Sequence, residues 1–338
     1  MKRGVRAIAL LVVGVLFLTT LAGCGDVDVR HTDKPRIVCT AFPQYDWVRE
    51  ILGDQANRFD LILLNEDGAD LHSFQPTAAD IVRISTADLF VYIGGNSDLW
   101  VEDALKEAVN ENMQVVSLMD QLGDRVWAEE HVEGMEEERG HHHDHEDDHD
   151  HEEDHDHEEE EYDEHIWLSL RNAEAMVDVL TEAICKLDPE QAQEYRAHSK
   201  AYREELEALD AEYTEVTEQA NVHTLVFGDR FPFRYLTEDY GLEYYAAFPG
   251  CSAETEASFE TITFLAGKVD ENGLNAILVI DGSDERIAET IRDNTKEKNQ
   301  SILMLQSLQS VSRKQMDAGT TYLSGMKENL EVLREALQ

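Results

Sequence analysis

From residue 36 onward, short apolar runs alternate with stretches in which apolar positions recur every three or four residues. Runs at 37 to 40, 59 to 64, 89 to 93 and 115 to 118 have the length and composition of buried strands, and helical spacing falls at 45 to 52, 77 to 85 and 100 to 110. A second series follows, with strands at 224 to 227, 244 to 248, 276 to 280 and 302 to 305 and helices at 259 to 268, 285 to 294 and 319 to 337. Strand, helix, strand in succession builds a parallel sheet with helices on both faces. The pattern predicts an α/β protein with two parallel-sheet lobes, at 36 to 188 and at 221 to 338. A chain of 338 residues is long enough for two such units.

The most regular period lies between the lobes. Tyr195, Ser199, Tyr202, Leu206, Leu209, Tyr213 and Val216 recur at spacings of 4, 3, 4, 3, 4 and 3, and Asp188-Pro189 stands ahead of them as a cap and a first-turn proline. This predicts one rigid helix over 189 to 220, about 45 Å long at 1.5 Å per residue, joining the lobes. Such a connector resists wide hinge closure, and it leaves a site in the cleft between the lobes.

Residues 1 to 24 are an export signal rather than part of the fold. Lys2, Arg3 and Arg6 form a positive start, 7 to 18 is an apolar stretch too short to span a bilayer, and Leu21-Ala22-Gly23-Cys24 follows. That tetrapeptide resembles a bacterial lipobox, in which Cys24 would carry the lipid and become the mature N-terminus. More than one acyl chain suffices for stable attachment, so the expected location is the extracytoplasmic face of the cell membrane, lipid-anchored. Residues 25 to 35 are polar and read as a spacer. With Cys24 lipidated, Cys39, Cys185 and Cys251 allow at most one intrachain disulfide. Either Cys39 pairs with Cys251, or all three are buried free thiols.

Charge narrows the partners. Lys+Arg at 28 against Asp+Glu at 72 gives a formal net charge of −44, which repels phosphate backbones, so no nucleic acid is expected and cations are. Between residues 129 and 164 stand 21 acidic residues and a single Arg139. Eight histidines, His141, His142, His143, His145, His149, His151, His155 and His157, fall within the 17 residues 141 to 157. Imidazoles and carboxylates interleaved without apolar residues from 141 to 157, with strong self-repulsion, predict a disordered loop over 129 to 161 that holds zinc weakly and exchangeably. His145 to His149 and His151 to His155 both match H-E-x-x-H, but that motif works only on a rigid helix with an apolar back face and a third ligand.

Outside the tract, His72 lies in the loop after the strand at 59 to 64 and His165 where order should resume. Ligands of open α/β sheets gather at the carboxyl ends of strands. Asp229 and Asp281 hold equivalent positions after the strands at 224 to 227 and 276 to 280. His72, His165, Asp229 and Asp281 would form a four-coordinate site of two nitrogens and two oxygens for Zn²⁺, with ligands at about 2.0–2.2 Å.

These segments together resemble the zinc branch of the metal-binding cluster of ABC transporter substrate-binding proteins. The resemblance is carried by residues 37 to 43 (IVCTAFP), 68 to 76 (GADLHSFQP), the His-rich insertion, 163 to 169 (DEHIWLS), Asp188-Pro189, 233 to 242 (FRYLTEDYGL) and Glu256-Ala257-Ser258. It implies a rigid two-lobed receptor, working as a monomer, that captures Zn²⁺ or Mn²⁺ as its transported ligand and delivers it to an ABC permease; the His-rich insertion favours zinc. One position departs from the pattern. The zinc branch places a third histidine five residues before the Tyr of its F-x-Y motif, and here that position is Arg230, which cannot ligate metal. Asp229 could serve after a one-residue shift; His223 precedes its strand, at the end facing away from the cleft.

Other functions share the same residues. A tethered zinc buffer or metallochaperone for extracellular proteins would need the same site, and so would a Mn²⁺ receptor. A zinc hydrolase would need an open coordination position with a base beside it, for which Glu164 is the candidate. No catalytic residue is assigned.

Overall fold

The computed structural model describes residues 34–136, 161–252 and 256–338. Among the described residues eight strands occur, β1 (Arg36–Cys39), β2 (Asp60–Leu63), β3 (Leu89–Tyr92), β4 (Gln114–Ser117), β5 (Thr224–Phe231), β6 (Glu243–Pro249), β7 (Ala276–Ile280) and β8 (Ser301–Leu305). They form two all-parallel sheets of order β2-β1-β3-β4 and β6-β5-β7-β8. Each order reverses direction beside its first strand, which opens a crevice at the carboxyl ends. Burial explains the apolar runs: all four residues of β1 and all five of β7 are buried, because helices cover both faces of a parallel sheet.

The helices are α1 (Phe42–Leu52), α2 (Ala78–Ser85), α3 (Val101–Lys106), α4 (Leu118–Leu122), α5 (Leu170–Leu187), α6 (Ala192–Glu218), α7 (Arg234–Tyr240), α8 (Phe259–Asn272), α9 (Arg286–Asn294), α10 (Arg313–Asp317) and α11 (Tyr322–Ala336). Three helices that the period does not mark, α4, α7 and α10, have five to seven residues, too few to display it in the sequence, and α3 has only six. Helix α3 ends earlier than expected because the chain turns back, with Val109 N–H donating to the Ser85 carbonyl at 2.9 Å.

Helix α6 is the long element between the sheets, 27 residues, and buries Tyr195, Ser199, Tyr202, Leu206, Leu209, Tyr213 and Val216. Asp188 does not cap it: a short 3-10 turn, Pro189–Gln191, intervenes without a side-chain cap, and the Asp188 carboxylate instead accepts from Arg58 Nε at 2.6 Å and Tyr195 Oη at 2.8 Å. One continuous apolar cluster runs from Ile37 and Cys39 in the first sheet, through Leu180 and Leu206, to Phe227, Leu278 and Leu333 of the second lobe. Smaller clusters cover the outer faces of each sheet.

Polar contacts cross this core as well. Tyr322, at the start of α11, donates its N–H to Asp46 of α1 at 2.7 Å and its hydroxyl to the Trp167 carbonyl at 2.6 Å. Trp167 Nε1 in turn donates to the Ser307 carbonyl at 2.8 Å. The final helix thus closes onto the first lobe.

Of the two alternatives for the cysteines the free thiols hold, with Cys251 only half-buried, and the bounds expected for the loop are corrected. Cys39, Cys185 and Cys251 are all free, and Cys39 is sealed inside β1, so no Cys39–Cys251 disulfide forms. The acidic segment 129–136, expected within the unfolded loop, is tied down by the second lobe: Tyr244 donates its hydroxyl to Glu130 at 3.1 Å, and Glu136 N–H donates to the Ala247 carbonyl at 2.9 Å. The eight tract histidines, the Cys24 region and the spacer up to residue 33 lie outside the described residues.

Because the two sheets share one core, they should unfold together. Leu206→Ala, at a fully buried position of α6, is expected to cost about 2–5 kcal/mol. Circular dichroism and tryptophan fluorescence should report one coincident urea transition for both lobes, shifted to lower denaturant in the variant.

Candidate metal centre

The loop after β2 is shaped by its own polar groups. Asn65 clamps it by accepting from Ala69 N–H at 3.0 Å and donating to the Ala69 carbonyl at 2.8 Å. Asp70 then caps the 3-10 turn Leu71–Ser73, its side chain accepting from His72 N–H at 3.0 Å, while Leu71 is buried beneath. On the outer side, Asp70 accepts from Arg230 at 2.7 Å and from Gln309 at 3.2 Å. Burial alone would raise the Asp70 carboxyl, but the Arg230 guanidinium, by hydrogen bond and charge, holds it below its ordinary value. Arg230, the residue that departs from the family pattern, therefore ties the second lobe to the His72 loop.

His165 sits fully buried at the start of the turn Ile166–Leu168. Asp163 accepts from both its backbone N–H, at 2.8 Å, and its ring Nδ1, at 2.9 Å. That contact assigns the hydrogen to Nδ1 and leaves the Nε2 lone pair free, the carboxylate–histidine arrangement found behind metal ligands. Tyr235 supports the same loop from α7: its hydroxyl donates to the Asp163 carbonyl at 2.8 Å and accepts from Trp127 N–H at 3.1 Å. The Tyr of the F-x-Y motif, useful in the sequence only as a landmark, thus positions the His165 loop.

His72 is oriented in the same sense. Its Nδ1 lies 2.9 Å from Ser97 Oγ, so its Nε2 also points inward. Ser97 is itself placed by Glu164, which accepts its N–H at 2.7 Å, and Gly95 keeps room for that carboxylate, since a Cβ there would lie 2.6 Å from it. The two Nε2 atoms face each other at 3.2 Å. A tetrahedral metal with imidazole nitrogens at 2.0–2.1 Å separates them by about 3.4 Å, so the pair is spaced for one shared ion.

Electrostatics differ between the two rings. Burial first, then the neighbouring His165, pull the His72 pKa down to about 3. Burial also opposes a charge on His165, but Asp163, Glu164 and Glu129 outweigh it and hold that pKa above its ordinary value. Glu164 is buried and its pKa is raised chiefly by burial; its Oε2 lies 3.8 Å from His72 Nδ1, on the side of the ring away from the paired Nε2 atoms. It buttresses the Ser97 loop rather than flanking the point where the nitrogens converge.

Among the described residues, one group of three or more His, Cys, Asp or Glu brings its ligand atoms within 4.8 Å of one another: His72, His165 and Cys251. Asp229 and Asp281 are not in it. Strand β5 runs on to Phe231 through a register shift between Phe227 and Arg230, so Asp229 is inside the strand instead of beyond its end. Its carboxylate accepts from Arg230 N–H at 2.8 Å, and that of Asp281 accepts from Ser307 N–H at 2.5 Å. Both line an adjoining cavity of about 760 Å³, together with Asp70, Asp284, Arg230 and Arg286. His223 is exposed where β5 begins.

Cys251 arrives just past β6, which runs to Pro249, at the carboxyl edge where strand-end logic places ligands. Its N–H donates to Glu129 at 3.1 Å. Burial, followed by the charges of Glu129, Glu164 and Asp163, pushes its thiol pKa up. The signal for Cys251 is present in the sequence, a cysteine directly after a strand, but the same cysteine equally suits a disulfide there.

The two parallel sheets joined through a long helix thus bring two imidazoles and one thiol together at the strand ends. The chain belongs to the family described as zinc-uptake complex component A, periplasmic, whose profile matches residues 37–336. The zinc-binding protein AdcA of Streptococcus pyogenes serotype M3 is 30% identical over 311 residues, covering 89% of this chain and 56% of that protein. The chain thus spans a little over half the length of the AdcA relatives it matches. The high-affinity zinc uptake system protein ZnuA of Bacillus subtilis is 30% identical over 333 residues, 97% of both chains. In structure, the metal-dependent lipoprotein YcdH of B. subtilis superposes with a TM-score of 0.69 at 26% identity, covering 90% of this chain and 99% of that one. The Zn(II)-bound ZnuA-like domain of Streptococcus pneumoniae AdcA gives 0.66 at 26%, with the same coverage.

Asp163→Ala should remove the carboxylate behind His165 without touching the Nε2 pair. Zinc affinity measured by chelator competition is expected to fall about 10–100-fold, with the circular dichroism spectrum unchanged.

Proposed function

We propose that this protein captures Zn²⁺ outside the cytoplasm, as a monomer anchored through lipidated Cys24, and hands it to an ABC permease for uptake. The observation that carries the reading is the His72–His165 pair, its Nε2 atoms 3.2 Å apart while Ser97 and Asp163 occupy both Nδ1 positions. Neutral imidazole suits borderline divalent ions better than Mg²⁺, Ca²⁺ or Mn²⁺, which prefer oxygen. The zinc-binding and zinc-uptake relatives support the same cargo.

Asp229 and Asp281 take a different role in this reading from that of direct ligands. They sit with Asp70 and Asp284 around the adjoining cavity, four carboxylates against Arg230 and Arg286, and draw cations toward the cleft by their field. His141, His142, His143, His145, His149, His151, His155 and His157 act as an exchangeable store that raises the local zinc concentration. Delivery to a permease, as distinct from storage, is tested by growth on chelator-limited medium: loss of the gene or of His72 should impose a zinc requirement. Unimpaired zinc accumulation in the deletion strain would refute uptake.

The two ligand classes separate by deletion. Removal of 137–160 leaves 129–136 on the second lobe and should preserve one tight zinc per chain while abolishing the additional weak ones. Titration calorimetry reads both; disappearance of the tight site would show that the tract, not the cleft, binds the cargo.

A further inference from the structure

The second lobe contributes a sulfur where the sequence predicts oxygen ligands. Gly250 and Cys251 follow β6 directly, and Gly250 leaves no side chain against His165, since a Cβ there would stand 3.2 Å from the ring. The backbone at this point is held by Cys251 N–H on Glu129 and by Ser252 N–H on the Pro249 carbonyl at 3.3 Å. The thiol is thereby brought to the two imidazoles from the opposite lobe, one ligand atom of each of the three residues lying within 4.8 Å of the others. A tetrahedral zinc with Zn–S of 2.3 Å and Zn–N of 2.0–2.1 Å would place sulfur and nitrogen about 3.6 Å apart, within reach of a small side-chain adjustment.

The remaining candidates for that place are committed elsewhere. Arg230 stands where a third histidine would be and spends its guanidinium on Asp70. Asp229 and Asp281 bind backbone N–H groups beside the cavity.

We propose that Cys251 is a direct ligand of the transported metal, completing a His72–His165–Cys251 set, so that this receptor presents two nitrogens and one sulfur to its ion. The proposal rests on the receptor reading above and specifies its chemistry. On binding, the Cys251 S–H bond breaks as the sulfur–metal bond forms, and the proton passes to solvent. A thiolate selects soft and borderline ions and disfavours Mn²⁺, so the cysteine contributes zinc selectivity that Arg230 could not. It also joins the lobes through the metal, because His72 and His165 precede α6 and Cys251 follows it.

The test uses Co²⁺ and Zn²⁺ on the full exported chain and on Cys251→Ser. Co²⁺ bound to the parent should give a thiolate-to-metal charge-transfer band in the near ultraviolet that the serine variant lacks. Loss of outer partners of metal ligands already costs about 10–100-fold in affinity, so loss of this ligand should weaken zinc by at least about tenfold. In the unaltered parent, saturating zinc should protect Cys251 from alkylation, read by peptide mass, which needs no variant to fold. A parent that binds Co²⁺ with no such band, alkylates equally with and without zinc, and is matched in affinity by the variant overturns the cysteine assignment and leaves the receptor standing. A parent that binds neither ion overturns both.

Discussion

Two imidazole nitrogens facing each other across 3.2 Å set the terms for the rest of this structure. Without a cation, one ring must turn a hydrogen toward the other's lone pair; with a cation, both lone pairs converge on it. Neither arrangement survives unless each ring is fixed from behind, because a rotation of either imidazole would end the convergence. The local chain is arranged around that need. Asp163 holds His165, Ser97 holds His72, Glu164 holds Ser97, and Tyr235 reaches from the second lobe to hold the Asp163 loop.

The larger architecture maintains the same geometry over a longer distance. His72 and His165 are 93 residues apart, and Cys251 belongs to the other sheet. Helix α6, packed along one face into a core common to both lobes, fixes the sheets relative to each other. The Tyr322, Trp167 and Arg230 contacts then lock the seam near the site. Such a seam favours adjustment by small tilts and loop ordering over the wide hinge of receptors with flexible connectors.

Most of the architecture was legible because parallel strands covered on both faces are written as uninterrupted apolar runs, and a one-faced helix as a 4, 3 repeat. The seven α6 positions marked by period are all buried. Short helices left no period, and Asp188-Pro189 carried a cap signature whose carboxylate tertiary structure uses for Arg58 and Tyr195. At the site, His72 and His165 stood out as chemistry-bearing residues in loops after or near strands. Asp229 and Asp281 stood out for the same reason, but an apolar run can stop before its strand does: β5 extends past Asp229, while β6 ends immediately before Gly250 and Cys251. The strand boundary thus places Cys251 rather than Asp229 beside the histidine pair, while Asp281, directly after β7, opens onto the adjoining cavity. The hydrogen bonds behind the rings, which decide which nitrogen is free, involve partners such as Ser97 and Tyr235 that no local pattern connects to the histidines.

The most direct test of the account is anomalous diffraction at the zinc edge from crystals of the zinc-loaded protein. A single strong peak between His72 Nε2 and His165 Nε2, on the side facing residue 251, is the predicted result. A peak instead within the acidic cavity, coordinated by Asp229 and Asp281 with the histidine pair still in mutual contact, would contradict it.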